Sequence, residues 1–156
     1  VARSKNRMAS AITHILPSAQ KEGIVKLFQS SEPDRFKDGE QKRDFIYVKD
    51  VIKVMYWMME EFNSNSTSTL SSAIYNLGTG KARTFYDLAA ATFRGLDLNP
   101  NIEFIDMPED IQDKYQYFTE AAMQKLKNAG YTNPFYSLED GVNDYVRNYL
   151  VGEKYY

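Results

Sequence analysis

A short stretch of alternating side chains, residues 42–51 with the sequence KRDFIYVKDV, constrains the fold of this chain more than any other feature. Its apolar side chains would fall alternately on the two faces of a β-strand spanning 43–48. Arg43 opens this strand, and from that position its guanidinium can reach a cleft. On general grounds, however, an arginine before a strand is more often an ordinary surface residue.

The same stretch ends where a helix is predicted. Asp50 stands at the boundary, and a short acidic side chain at such a position is typical of a helix N-cap. The apolar residues of the predicted helix, 51–62, recur at helical spacing and would form its buried stripe. They are Val51, Val54, Met55, Met58 and Phe62.

Four further helices are predicted, and three of them begin at residues that favour N-caps. They span 8–21, 84–94, 119–128 and 138–150, with Thr84, Thr119 and Ser137 as the capping residues. Pro17 lies inside the first of them and should kink or restart it. Short strands are predicted at 24–28, 73–77 and 102–105. The polar segment 29–41 is predicted to be a loop, and loops of that length inside a domain are often functional.

Composition excludes several classes of function. The 156 residues are enough for one domain with a hydrophobic core, and the net charge of −2 gives no electrostatic footprint for nucleic acid. The absence of cysteine excludes disulfides and thiolate chemistry. No apolar run reaches the length of a membrane span, and no signal peptide is visible. His14 is the only histidine and has no carboxylate cluster beside it, so no metal site is predicted.

Several motifs together resemble a known family. Two of them are similar to the C-terminal half of extended short-chain dehydrogenase/reductases that act on nucleotide sugars: RDFIYVxDV at 43–51 and YNLGTG at 75–80. Four more narrow the resemblance to the ADP-L-glycero-D-manno-heptose 6-epimerases: RMAS at 7–10, KLF at 26–28, YQxFT at 115–119 and AGYxxPF at 129–135. The similarity extends from Lys5 to about Tyr149.

The resemblance implies an α/β fold. Residues 1–156 would be the C-terminal substrate-binding lobe, whose helices and short strands pack on an N-terminal Rossmann domain that is absent from this chain. The parent enzyme would use NADP to interconvert the two C6 epimers of ADP-glycero-D-manno-heptose by oxidation and reduction, for lipopolysaccharide core synthesis in a Gram-negative cytoplasm. A homo-oligomer without nucleic-acid or membrane partners is expected.

Two parts that such an enzyme needs are missing from the sequence. Gly78 and Gly80 alone are a weak signal for a phosphate-binding turn, because a dinucleotide fingerprint needs a third glycine after the first strand. None of the twelve tyrosines is followed four residues later by a lysine that could lower the pKa of its phenol. The isolated chain is therefore predicted to be inactive.

The resemblance also assigns site residues. Lys5 would be the second catalytic acid/base and a cofactor contact, although Ser4 and Asn6 flank it where the family commonly has His-Lys-Gly. The expected substrate contacts are Arg7, His14, Phe28, Gln29, Ser30, Ser31, Arg43 and Tyr115. Free backbone N–H groups and hydroxyls after the strand at 24–28 would suit a ribose or diphosphate. Arg43 would supply the cation for the diphosphate, and Tyr115 would stack or donate its hydroxyl.

Two alternatives remain open at this point. The parent could act on a UDP- or GDP-sugar as an epimerase or dehydratase, since the motifs around Arg43 and Asn76 are common to both groups. The chain could instead be a non-catalytic module that binds sugar nucleotides. In either case, the helix after Asp50 and the segment ending at Gly78 should leave apolar faces uncovered.

Overall fold

Two short sheets connect distant parts of the sequence. The computed structural model describes residues 11–63 and 70–151. In the first sheet, Val25–Phe28 (β1) and Ile102–Ile105 (β4) are parallel, with Val25 opposite Ile102. In the second, Lys42–Arg43 (β2) and Arg83–Thr84 (β3) are antiparallel, with Arg43 opposite Arg83.

Six α-helices complete the described part of the chain. They are Ala11–Lys21 (α1), Val48–Asn63 (α2), Phe85–Gly95 (α3), Glu109–Gln112 (α4), Gln124–Asn128 (α5) and Leu138–Tyr145 (α6), and a π-helical turn, Val146–Leu150, continues α6. The α3 helix begins with the predicted capping box between Thr84 and Asp87. No helix among the described residues is long and apolar enough to cross a membrane.

Among the described residues, buried apolar side chains form two clusters. The larger one lies where α1, β1, α3 and α6 meet, with Phe93 and Val146 almost completely buried. The smaller one joins α2 to the segment around α5 through Val54, Leu126 and Tyr131. Because the first cluster holds β1 against α3, it fixes the point at which the loop after β1 begins.

The predicted strand over 43–48 is wrong in extent. Its strand partner, β3, is only two residues long. Because the two strands are antiparallel, Asp44 would have to pair with Ala82, but the Ala82 N–H donates to Glu120, and residues 78–80 turn around the Asp44 carboxylate. The ladder therefore ends at Arg43, and α2 already begins at Val48. Asp50 lies inside the first turn of α2 and is not the N-cap. Its buried carboxylate accepts a hydrogen bond from the Tyr136 backbone N–H at 2.8 Å.

Three other predictions need correction. Residues 73–77 form no strand, because no described segment pairs with them, and Ile74 is 88% exposed. Pro17 does not interrupt α1, which runs unbroken through it. Thr119 caps no helix, since α5 begins only at Gln124; its N–H donates instead to the Lys42 carbonyl. The helix predicted at 51–62 begins three residues earlier, at Val48, and the other predicted elements agree with the structure within one or two residues, except that residues 8–10 lie outside the described part.

The α2 helix buries little of its predicted stripe. Val54 is buried, whereas a row of large apolar side chains on another face is open to solvent. The row consists of Val48, Ile52, Met55, Tyr56, Met59 and Phe62, which we call the α2 face. Their spacing of three or four residues places them on one side of the helix. The expectation of an uncovered apolar face is therefore confirmed.

Candidate functional site

The residues singled out around β1 and β2 come together beside a cluster of aromatic rings. The Phe28 ring meets the Tyr115 ring edge to face, with 6.2 Å between centroids. Tyr115 in turn meets Tyr117 at 5.5 Å. The parallel pairing of β1 with β4 brings these distant segments close, because the chain returns from β4 through α4 to residues 115–117.

Arg43 lies close to two aromatic rings, those of Tyr115 and Phe85. Its guanidinium carbon is 5.5 Å from the centroid of Tyr115 and 5.7 Å from that of Phe85. One guanidinium nitrogen donates to the Lys42 carbonyl at 2.8 Å. Within the described residues, no carboxylate forms an ion pair with Arg43. A half-exposed arginine held by ring faces and lacking an acidic partner is suited to bind an anion.

Tyr115 offers a protonated hydroxyl to the same place. Burial raises the pKa of this tyrosine, although the charge of Arg43 lowers it in part. The phenol therefore stays neutral at physiological pH and can donate a hydrogen bond to a ligand oxygen. Its half-buried ring also supplies an apolar wall next to Phe28.

The loop after β1 corrects one part of the sequence interpretation. Its backbone N–H groups are not free: that of Gln29 donates to the Ile105 carbonyl, that of Ser30 to Asp38 at 2.8 Å, and that of Ser31 to the Tyr117 hydroxyl at 2.7 Å. The Gln29 and Ser31 side chains are exposed and Ser30 is half-buried, so the side chains of this loop remain available to a ligand.

The buried side chain of Gln41 ties the two ends of this loop together. Its amide nitrogen donates to the carbonyl of Phe28 at 3.2 Å and more weakly to that of Gln29 at 3.4 Å. The Gly39 N–H also donates to the Phe28 carbonyl. The loop therefore starts and ends at one point, directly before β2 and Arg43.

The Gly78-x-Gly80 turn is held by protein and offers no phosphate cradle. The Asp44 carboxylate accepts hydrogen bonds from the N–H and hydroxyl of Thr79 and from the N–H groups of Gly80 and Ala121. Burial alone would raise the pKa of Asp44, but these hydrogen bonds outweigh it and keep the pKa below its usual value. A Cβ on Gly78 would collide with the Asp44 carboxylate, so this glycine serves the close approach.

The remaining predicted residues are not brought to this cluster. His14 is exposed on α1, and among the described residues no hydrogen bond or ring contact joins it to Arg43 or Tyr115. Lys5 and Arg7 lie outside the described residues. No group of three His, Asp or Glu side chains in residues 11–63 and 70–151 is arranged to hold a metal ion.

Sequence reasoning missed three residues of the site. Phe85 contacts Arg43, and Tyr117 contacts Tyr115. Phe36 stacks on Tyr117. The alternation of Tyr115 and Tyr117 was a usable signal, because two aromatic residues separated by one position share a side of an extended segment. Phe36, in an irregular loop, carried no such signal.

Comparisons with known proteins identify the chain's relatives. A profile described as the NAD dependent epimerase/dehydratase family matches residues 2–78. The ADP-L-glycero-D-manno-heptose-6-epimerase of Fusobacterium nucleatum is 50% identical over 97% of this chain, and that of Nitratidesulfovibrio vulgaris is 49% identical over 94%. The chain is thus similar to the NAD dependent epimerase/dehydratase family over residues 2–78 and to these epimerases along nearly its whole length. It spans 45% and 43% of the length of these two relatives.

Solved structures of epimerases confirm the expected α/β fold class. Helicobacter pylori ADP-L-glycero-D-manno-heptose-6-epimerase aligns with a TM-score of 0.66 and 26% identity, over 92% of this chain and 38% of that one. A UDP-N-acetylglucosamine 4-epimerase from Methanobrevibacter ruminantium aligns with a TM-score of 0.67 over 96% of this chain and 42% of that one. Its 18% identity shows a shared fold alone.

Proposed function

We propose that this chain is the substrate-binding part of an epimerase that interconverts ADP-D-glycero-D-manno-heptose and ADP-L-glycero-D-manno-heptose at C6. The observation that carries the proposal is the identity of about half of all residues, along nearly the whole chain, to epimerases of that name. The geometry around Arg43 supports it, because a nucleotide diphosphate needs a cation that no protein carboxylate neutralises.

Arg43 binds the diphosphate in this proposal. Its planar guanidinium matches two phosphate oxygens at once, and the flanking rings of Tyr115 and Phe85 hold the plane in place. The low-polarity ring faces on either side reduce competition from water, which strengthens a charge-assisted hydrogen bond.

Hydroxyl groups around Arg43 bind the rest of the nucleotide. Ser30 and Ser31 at the end of β1 and the neutral phenol of Tyr115 offer donors to ribose or phosphate oxygens. Gln29 adds an exposed amide, and Phe28 adds an apolar surface. We propose Arg7 and His14 as further contacts to the sugar and Lys5 as the second acid/base, which also touches the cofactor.

The described residues do not fit a dinucleotide. In the Gly78–Gly80 turn, the N–H groups of Thr79 and Gly80 donate to Asp44 and that of Gly78 donates to the Met123 sulfur, so no pyrophosphate cradle is present in the described residues. The change of configuration at C6 calls for a nicotinamide cofactor, which supplies reversible hydride transfer when bound. We propose NADP in this role, held by an N-terminal Rossmann domain of the full-length protein.

The α2 face provides a place for that domain. It is an apolar surface on a protein whose relatives are more than twice as long as this chain. Ile74, outside this face, is the most exposed large apolar side chain among the described residues. In this proposal the segment 73–77, which has no strand partner here, pairs with the sheet of the N-terminal domain. The intact protein is a homo-oligomer that acts in the cytoplasm.

The proposal is tested on the full-length gene product. Purified protein incubated with ADP-D-glycero-D-manno-heptose should form the L-glycero epimer, resolved by chromatography and assigned by NMR. The 156-residue chain alone should form none. Conversion of a UDP- or GDP-sugar in preference to the ADP-heptose would contradict the proposed substrate.

Arg43 gives the sharpest test of the site. Arg43→Ala should raise KM for the ADP-heptose about 10- to 100-fold, since a hydrogen-bonded charge on the diphosphate is lost. Arg43→Lys should recover only part of this, because an ammonium lacks the planar fork. Arg94→Ala removes an exposed arginine on α3 and is the matched control. If Arg43→Ala leaves KM at the wild-type value, Arg43 does not bind the substrate.

A further inference from the structure

We propose that Tyr117 is a positioning residue for the substrate site: it holds the Ser30–Ser31 turn at a fixed place beside Arg43 and Tyr115. This inference rests on the proposed function, because it concerns the residues that bind the nucleotide there. Tyr117 itself is buried, and no contact between Tyr117 and the substrate is required.

The hydroxyl of Tyr117 binds Ser31 twice. It accepts a hydrogen bond from the Ser31 N–H at 2.7 Å, and it shares a second hydrogen bond of 2.7 Å with the Ser31 hydroxyl. Ser31 is otherwise an exposed residue in a loop without regular secondary structure. A single phenol therefore fixes both the backbone and the side chain of one proposed substrate contact.

The ring of Tyr117 is fixed in turn by its neighbours. It is stacked on Phe36 with 5.0 Å between centroids and an angle of 22° between the ring planes. It meets Tyr115 at 74° on another side. Only 7% of Tyr117 is exposed, so the ring has little freedom to move its hydroxyl away from Ser31.

The backbone of Tyr117 is attached to the strand that carries Arg43. Its carbonyl accepts a hydrogen bond of 2.8 Å from the Lys42 N–H. Phe118, the next residue, pairs with Lys42 in a parallel bridge. Tyr117 thus joins three proposed substrate contacts: Ser31 through its hydroxyl, Tyr115 through its ring and Arg43 through the main chain of Lys42.

Removing the hydroxyl separates positioning from packing. Tyr117→Phe in the full-length protein keeps the ring contacts with Phe36 and Tyr115 but releases Ser31. KM for ADP-D-glycero-D-manno-heptose should rise about five- to tenfold, which corresponds to the net free energy of one or two hydrogen bonds. The kcat should stay within about twofold of the wild-type value. The Kd for ADP, measured by calorimetry, should rise by the same factor, because ADP carries the same diphosphate.

A second buried tyrosine provides the matched control. Tyr131 lies in the smaller core cluster, and its hydroxyl has no hydrogen-bond partner among the described residues; Asn133 lies near enough to affect the pKa of that hydroxyl but outside hydrogen-bond geometry. Tyr131→Phe should leave KM and the Kd for ADP unchanged. An equal effect of the two substitutions would reduce the role of Tyr117 to general stability and overturn the proposal.

The two proposals fail in different ways. If wild-type protein binds ADP but does not convert the ADP-heptose, the proposed function is wrong, and the ADP titration of Tyr117→Phe still decides the role of Tyr117. If wild type converts the ADP-heptose and Tyr117→Phe has unchanged KM and Kd, the positioning role is wrong and the function stands. Protein that neither binds ADP nor converts the sugar contradicts both.

Discussion

At the scale of single residues, Asp44 is one side chain that joins three segments of the chain. It follows Arg43, and its carboxylate gathers donors from two segments that lie far along the chain, at Thr79–Gly80 and at Ala121. Each carboxylate oxygen accepts two hydrogen bonds. Asp44 therefore has a structural role, whereas we propose that its neighbour Arg43 binds the substrate.

Asp44→Asn should destabilise the protein by about 2–4 kcal/mol, because the amide NH₂ would face two donors and leave them without an acceptor. The direction of the pH dependence of this stabilisation follows from the lowered pKa of Asp44. Its stabilisation is present above the ordinary carboxylate pKa and is lost as the pH falls through the lower, folded-state value. Urea unfolding at neutral pH measures the difference.

Asp113→Asn provides the control for charge alone, since Asp113 is exposed and has no side-chain hydrogen bond within residues 11–63 and 70–151. A loss of stability for Asp44→Asn no greater than that for Asp113→Asn would contradict the structural role.

At the scale of elements, α6 is joined to the start of α2 through Asp144. Its carboxylate accepts hydrogen bonds from the Tyr47 hydroxyl and the Lys49 ammonium, each at 2.6 Å, and from the Asn148 amide at 2.7 Å. The hydrogen bonds from Lys49 and Tyr47 lower the pKa of Asp144 to about 2. Burial and the same carboxylate raise the pKa of Tyr47, which stays protonated.

This contact predicts a defined pH dependence. Asp144 stabilises the folded protein while it is charged, so the advantage of wild type over Asp144→Asn should be constant above about pH 5 and shrink as the pH falls towards about 2. Urea midpoints measured from pH 2 to 6 give the curve. The exposed Asp34, substituted by Asn, should show no comparable change over that range. A difference for Asp144→Asn that persists unchanged at pH 2 would refute the argument.

Two helices with a local capping signal were predicted well from sequence. The Thr84–Asp87 box placed the start of α3, and Ser137 placed that of α6. Elements that depend on distant partners were not. Alternation over 45–48 predicted a strand, but strand length is set by the partner, and the residues before β3 are held elsewhere, with the Ala82 N–H donating to Glu120. Residues 73–77 have strand character but no partner among the described residues.

The site shows the same division. Motif resemblance selected Phe28, Arg43 and Tyr115, which the structure brings together. It did not indicate that Asp38 and Tyr117 occupy the N–H groups of Ser30 and Ser31. Those hydrogen bonds join residues that are separated along the chain, and no local pattern in a single sequence encodes them.

At the scale of the whole molecule, the α2 face is the main departure from an ordinary soluble surface. Phe62 is 81% exposed at its end. If the N-terminal domain covers this face, Met55→Glu with Met59→Glu should lower the stability of the full-length protein by at least about 2 kcal/mol, because two apolar side chains lose a buried environment. The same pair should reduce self-association of the 156-residue chain in sedimentation velocity.

Leu98→Glu is the control for this pair, since Leu98 is an exposed apolar residue outside the α2 face. A full-length protein whose unfolding midpoint is unaffected by the double substitution would mean that the α2 face is open to solvent in the intact molecule.

The parallel pairing of β1 with β4 has a consequence for the order of events during synthesis. The chain leaves the ribosome from its N-terminus, and pairings between distant segments form slowly. Phe28 and Arg43 are made first, yet the Tyr115 ring that contacts both of them follows only after β4. A nascent chain that ends before residue 115 would carry the loop after β1 and Arg43 and still have no site.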